Sequence, residues 1–185
     1  MAIFTKDGYG QIELNHVAWR RDGRIEAQSK LNAEDFADAK AENGMLLAVD
    51  FATREVKLPT EANVKAGMPV AVNYSSEHLY DERTQMLKDF ALGLDDVRPR
   101  LGYLAVGDKF TTNTLSYDEV EYTSEDLLVE ALDKVATDPV YGGVSDTGHI
   151  QLSATKPTVG PVLRVVEYTD MPDGQPAVKL QVVEA

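Results

Sequence analysis

Apolar and polar residues alternate most regularly near the C-terminus, where Val178, Leu180 and Val182 are interleaved with Lys179 and Gln181. That period of two predicts a strand with one wet face. Residues 162–169 are more continuously apolar, interrupted by Arg164 and Glu167, and "MPDGQ" lies between the two runs. Pro and Gly stand at turn positions there, so the pair predicts a β-hairpin. A second hairpin is predicted at residues 45–50 and 55–58. "LLAVD" is near-continuously apolar, "REVKLP" alternates, "FATR" makes the turn, and Pro59 closes it. "GMPVAVNY" and "RLGYLAVGDKFTTNTLSYD" read as further β segments, rich in Val, Tyr, Phe and Thr, with Gly107-Asp108 at a turn.

Helical spacing is clearest in "YTSEDLLVEALDKVATDP". Leu127, Leu128, Ala131, Leu132 and Val135 form one apolar stripe, Thr123 is placed to cap, acids follow it, and Pro139 ends the run. A second helix is predicted over 77–92, where Leu79, Met86, Leu87, Phe90 and Leu94 follow helical spacing behind Ser75 or Ser76. A short third helix is predicted within 32–42, with Asn32 as cap and Gly44 as stop. Near the N-terminus, "HVAWRRDGRIEAQ" reads as two extended pieces around Asp22-Gly23, a hairpin pattern. Trp19, the single Trp, is expected as a core or interface anchor. The expected class is α+β, mainly β: a β-barrel or sandwich with two or three short helices and an irregular N-terminal segment. Residues 1–60 form an N-terminal segment with hairpins that would serve as an arm, and 61–185 a main β-rich domain; the alternative is one domain overall.

Composition narrows the function classes. With 43% hydrophobic and 26% charged residues, the 185-residue chain has enough apolar side chains for a packed core. It has no cysteine, which removes disulfides, thiolate nucleophiles and cysteine-held metals. The net charge is −13, and residues 61–185 hold 10 Lys/Arg against 21 Asp/Glu. Such a surface repels phosphate backbones and anionic lipid and suits a basic partner. Neither nucleic acid nor a membrane is therefore an expected partner. The start, "MAIFTKDGYGQIELNH", has no basic head followed by an apolar run, so no signal peptide is expected.

Candidate chemistry is sparse. "YSSEHLYDER" crowds Glu77, His78, Asp81 and Glu82 together, and His78 and Glu82 would share a helix face. A zinc site of that type needs two histidines one turn apart, whereas His16, His78 and His149 are scattered. No Gly-x-Ser-x-Gly elbow, Gly-Lys-Ser/Thr phosphate loop or third glycine after "GYG" occurs. "SATK" at 153–156 matches Ser-x-x-Lys but lacks its Lys-Thr-Gly partner motif. The acids of "DEVEYTSED" lack the order that wraps calcium. The expectation is no catalytic residue, no metal and no cofactor. Eight Tyr, five Phe and one Trp, spread over hairpins and loops, suit docking by surface complementarity.

The stretches "NYSSEHLYDERTQMLKDF", "RPRLGYLAVGDKFTTNTLSYDE" and "GPVLRVVEYTDMPDGQPAVKLQVVEA" resemble those of small head proteins of tailed-bacteriophage virions, of the capsid decoration or cement type. The resemblance implies a non-enzymatic structural protein without cofactor. It would be located on the virion, assembled in the host cytoplasm, and bound to the major capsid protein as a homo-oligomer such as a trimer. It would stabilise the shell against the pressure of packaged DNA. Two alternatives stand beside it: another virion component (head–tail connector, tail or capsid protein), and a small hydrolase with a dispersed active site. A capsid protein of the usual fold carries a long spine helix, which the pattern here does not predict. Aromatic and charged residues of turn-rich stretches are the candidate partner contacts: Tyr9, Trp19, Arg20, Tyr80, Arg83 and Tyr141.

Overall fold

A computed structural model describes residues 3–75, 88–96 and 98–185. Fifteen strands and three short helices occur among them. In chain order these are β1 (Ile12–His16), α1 (Ala18–Asp22), β2 (Ile25–Glu26), β3 (Lys30–Leu31), β4 (Ala41–Glu42), β5 (Leu46–Asp50) and β6 (Glu55–Lys57). Then come α2 (Glu61–Lys65), β7 (Val70–Asn73), β8 (Ala91–Leu92), β9 (Leu101–Tyr103), β10 (Lys109–Thr112) and β11 (Leu115–Tyr117). The chain ends with α3 (Glu125–Leu132), β12 (Tyr141–Gly143), β13 (Ile150–Ser153), β14 (Val162–Asp170) and β15 (Pro176–Glu184). The class is α+β, mainly β.

The strands form a seven-stranded sheet ordered β1-β10-β15-β14-β12-β13-β11, a six-stranded sheet ordered β2-β9-β7-β5-β6-β3, and a small β4-β8 pair. Each large sheet has two edge strands, so neither closes into the barrel that was one expectation. Pairing is antiparallel except for β11–β13 and β3–β6. The C-terminal hairpin follows the period-two pattern: Ala177, Val178, Leu180 and Val182 of β15 are buried, and Lys179 and Gln181 are half-exposed. The β5–β6 hairpin also forms, pairing Val49 with Val56.

Alternation along the strands builds two cores. Leu46 of β5 and Val72 of β7 face Trp19, Phe110, Leu163, Leu180 and Val182 in the larger one. Their neighbours Leu47, Val49 and Ala71 face the opposite way, into a second core with Phe36, Met45, Leu92 and Leu101. A middle strand buried on both faces reads as a continuous apolar run, which is the pattern of "LLAVD". The first 60 residues are interleaved with the rest: β1 pairs with β10, and β5 with β7. Ile3 and Phe4 are buried in the larger core.

The helices fall partly where the pattern puts them. In α3, Leu128 and Leu132 are buried, but Leu127 of the expected stripe is 45% exposed. Its cap is Ser124 and not Thr123: the Ser124 hydroxyl accepts from the Leu127 N–H. The "HVAWRRDGR" stretch is no hairpin. Asp108 Oδ1 accepts from the Ala18 N–H at 2.6 Å, one helical turn buries Trp19, and Gly23 at φ 68° ends it. β1 and β2 then run into different sheets. Within 32–42, Asn32 caps a single turn by accepting from the Glu34 and Asp35 N–H groups at 3.1 Å. The Asp35 carboxylate accepts from Leu58 N–H at 2.8 Å, and Ala41–Glu42 pairs as β4. α2 was not anticipated; its signal is Thr60, whose side chain accepts from the Asn63 N–H. The helix expected over 77–92 lies mostly outside the described residues, and its last part, Ala91–Leu92, is strand β8. No described helix is long and apolar enough to cross a membrane.

Candidate functional site

The loop between β12 and β13, "VSDTGH", separates two clefts that meet at Asp146. Gly148 fixes the loop. It adopts φ 81°, its carbonyl accepts from the Leu46 N–H at 2.8 Å, and a Cβ there would stand 3.2 Å from the Leu46 oxygen. A non-glycine residue would be strained in backbone and space alike.

The larger cleft, about 510 Å³, is lined by Glu61, Asp118, Glu121, Gln151, Ser153 and Lys156 among others. Glu121, Ser153 and Lys156 among them are engaged in holding the chain's own loops and strands. Glu121 Oε2 accepts from Ser153 Oγ at 2.7 Å, from the Ala154 N–H at 2.5 Å and from the Thr155 N–H at 3.4 Å. Desolvation raises the Glu121 pKa, but the donors of this turn outweigh it and hold the carboxyl below its usual value. Lys156 pairs with Glu184. The Ser153–Lys156 spacing is therefore a turn and an ion pair, and not a nucleophile beside its base.

The second cleft, about 480 Å³, lies where the 38–45 segment faces the 146–149 loop, and Tyr9, Phe36, Met45 and Leu58 supply its apolar lining. Glu42 Oε2 accepts from the Gly10 N–H at 2.6 Å. Only glycine fits at position 10, where a Cβ would stand 2.0 Å from Thr114 Oγ1 and 2.9 Å from Glu42 Oε2. Burial pushes the Glu42 carboxyl above its ordinary pKa. His149 lies on the same cleft. Its Nδ1 is 3.1 Å from Thr147 Oγ1, its Nε2 is buried with no partner among the described residues, and burial lowers its pKa. Lys40 Nζ stands 5.0 Å from the centre of the Tyr9 ring. Behind the cleft runs a buried polar bed. Thr112 Oγ1 donates to the Gln11 carbonyl at 2.6 Å, Asn113 Oδ1 accepts from the Gln11 N–H at 2.7 Å, and Thr114 Oγ1 donates to the Asn43 carbonyl. Among the described residues no three His, Asp or Glu side chains are placed to hold a metal ion.

Of the partner-contact residues singled out from sequence, four are described: Tyr9, Trp19, Arg20 and Tyr141. Tyr9 is half-buried in the second cleft. Trp19 has no exposed surface: it packs in the larger core against Tyr74 and Phe110, at 6.1 and 6.3 Å between ring centres. Its place is thus in the core. Arg20, next to it on α1, is exposed. Tyr141 is half-buried on β12, opposite Ser153 and Arg164. Tyr80 and Arg83, with Ser76, Glu77, His78, Asp81 and Glu82, lie outside the described residues. Sequence reasoning missed Glu42 and Asp146, and set His149 aside as one of three scattered histidines. Their positions are far apart in the chain, and the only local signals were the flanking Gly44 and Gly148. Comparison of the chain with protein-family models, with curated proteins and with solved structures gave no match.

Proposed function

We propose that this chain is a non-enzymatic structural protein of a tailed-bacteriophage virion, of the decoration or cement type. It binds the major capsid protein as a homo-oligomer and stabilises the shell. The observation that carries this reading is the use of two ionisable groups in the cleft lined by Glu121, Ser153 and Lys156. Glu121 is occupied by three donors of one turn, and Lys156 by Glu184. A hydrolase instead keeps a nucleophile and its base within reach of each other and of substrate. Adhesion needs contact area, and large apolar side chains stand at turns: Phe51 is 61% exposed, Val106 68% and Val120 90%. The stretches that resemble head proteins supply β9, β10, β11, β14 and β15, strands of both large sheets. The charge of −13 suits a basic docking surface.

The test is sedimentation of the purified chain with purified heads of the phage that encodes it. The chain is expected to pellet with heads, and the double variant Phe51→Ser, Val120→Ser to pellet less while keeping its circular dichroism. Retention on tails or connectors alone would move the protein elsewhere on the virion. Retention on no particle would overturn the proposal.

A further inference from the structure

We propose that the cleft between the 38–45 segment and the 146–149 loop receives a lysine or arginine side chain of the protein on which the chain docks. This rests on the docking function proposed above. The cleft is built for a long cationic side chain with an apolar stem. Phe36 and Met45 are buried in its wall, with Tyr9 and Leu58 half-buried beside them. Such surfaces take up the methylene stem of Lys or Arg while the charged head reaches a polar end. That polar end is Glu42. Its carboxylate is half-buried, one oxygen takes the Gly10 N–H, and no lysine or arginine among the described residues pairs with it. A part-buried carboxylate with one neutral donor is under-compensated, and an arriving cation supplies the missing partner.

Charge favours the same occupant. The lining carries the carboxylates of Asp38, Glu42 and Asp146 against the single ammonium of Lys40. Asp38 and Asp146 are exposed and would draw a cation in; Glu42 lies deeper. Lys40 Nζ itself stands 5.0 Å from the centre of the Tyr9 ring, a geometry that favours an ammonium at this face. The whole chain, at −13, directs basic surfaces toward it.

The experiment titrates the ¹⁵N-labelled full chain with Nα-acetyl-arginine methylamide, Nα-acetyl-lysine methylamide and the neutral citrulline analogue. The reporter is the Gly10 amide, because it donates to Glu42. Both cationic probes are expected to shift that amide saturably, and citrulline to bind at least about tenfold more weakly. Glu42→Gln keeps an acceptor for Gly10 and removes the charge; it is expected to weaken arginine binding by about tenfold or more. Asp146→Asn leaves the Gly10 hydrogen bond untouched and is expected to weaken binding by a smaller factor, which keeps the test alive if the first variant is misfolded. Equal binding of citrulline and arginine, unchanged binding to folded Glu42→Gln, or an unmoved Gly10 amide would overturn the proposal. Heads play no part in this titration. Capture of arginine without retention on heads would uphold the cleft and remove the proposed partner. Retention on heads without capture of arginine would do the reverse.

Discussion

Two residues show how single side chains constrain this molecule. Gly102 sits on β9 directly under Trp19, and a Cβ there would stand 2.4 Å from the indole Nε1. Gly102→Ala must push the indole or bend the strand, and overpacking of this kind costs about 1–3 kcal/mol. The urea midpoint is expected to fall with an unchanged denaturant slope. His149 sets a pH dependence. Burial lowers its folded pKa below the ordinary imidazole value of about 6.5, so the unfolded chain takes up the proton first as acid is added. Its contribution to stability is therefore full above the unfolded pKa and is lost as pH falls through the lower folded value. Unfolding midpoints measured downward from pH 7.5 are expected to drop through this window. In His149→Asn, which retains a polar group near Thr147, that part of the slope is expected to vanish.

At the level of the elements, end signals decide where regular structure starts and stops. Ser124 caps α3 by accepting from the Leu127 N–H. Ser124→Ala is expected to cost about 1 kcal/mol in urea unfolding. Thr123→Ala, at the position the spacing alone would choose, is expected to stay within about 0.5 kcal/mol. The difference between the two measures a one-residue shift that pattern reading does not resolve. The long hairpin, the β5–β6 hairpin and α3 were legible because each expresses a local period: two along β15, a continuous run in doubly buried β5, and 3.6 in α3. α1 was not legible, because its turn depends on Asp108, a residue 90 positions away that accepts from Ala18. The 32–42 segment misled for the same reason: Asp35 is used by Leu58, and β4 by β8. The second cleft was invisible for a stronger version of this reason. Glu42, Asp146 and His149 meet only because β5 holds the Gly148 loop in place.

Across the whole molecule, both large sheets draw strands from both halves of the chain. The fragment 61–185 would lack β1, the neighbour of β10, and β5, which stands between β7 and β6. It would also lose Trp19 from the larger core, and Leu47 and Val49 from the smaller. Expressed alone, it is expected to show no cooperative unfolding transition and no ordered near-ultraviolet circular dichroism. An arm-and-domain protein would instead leave that fragment folded. The surface carries a net charge of −13, so attachment to a basic shell should weaken as salt rises, because exposed charges more than about 8 Å apart are screened at physiological ionic strength. The central claim is that the chain works by adhering to a capsid and strengthening it. The most direct measurement is the temperature at which DNA-filled heads rupture, with and without a saturating amount of the purified chain. The account predicts a higher rupture temperature with the chain bound; an unchanged temperature at demonstrated saturation would contradict it.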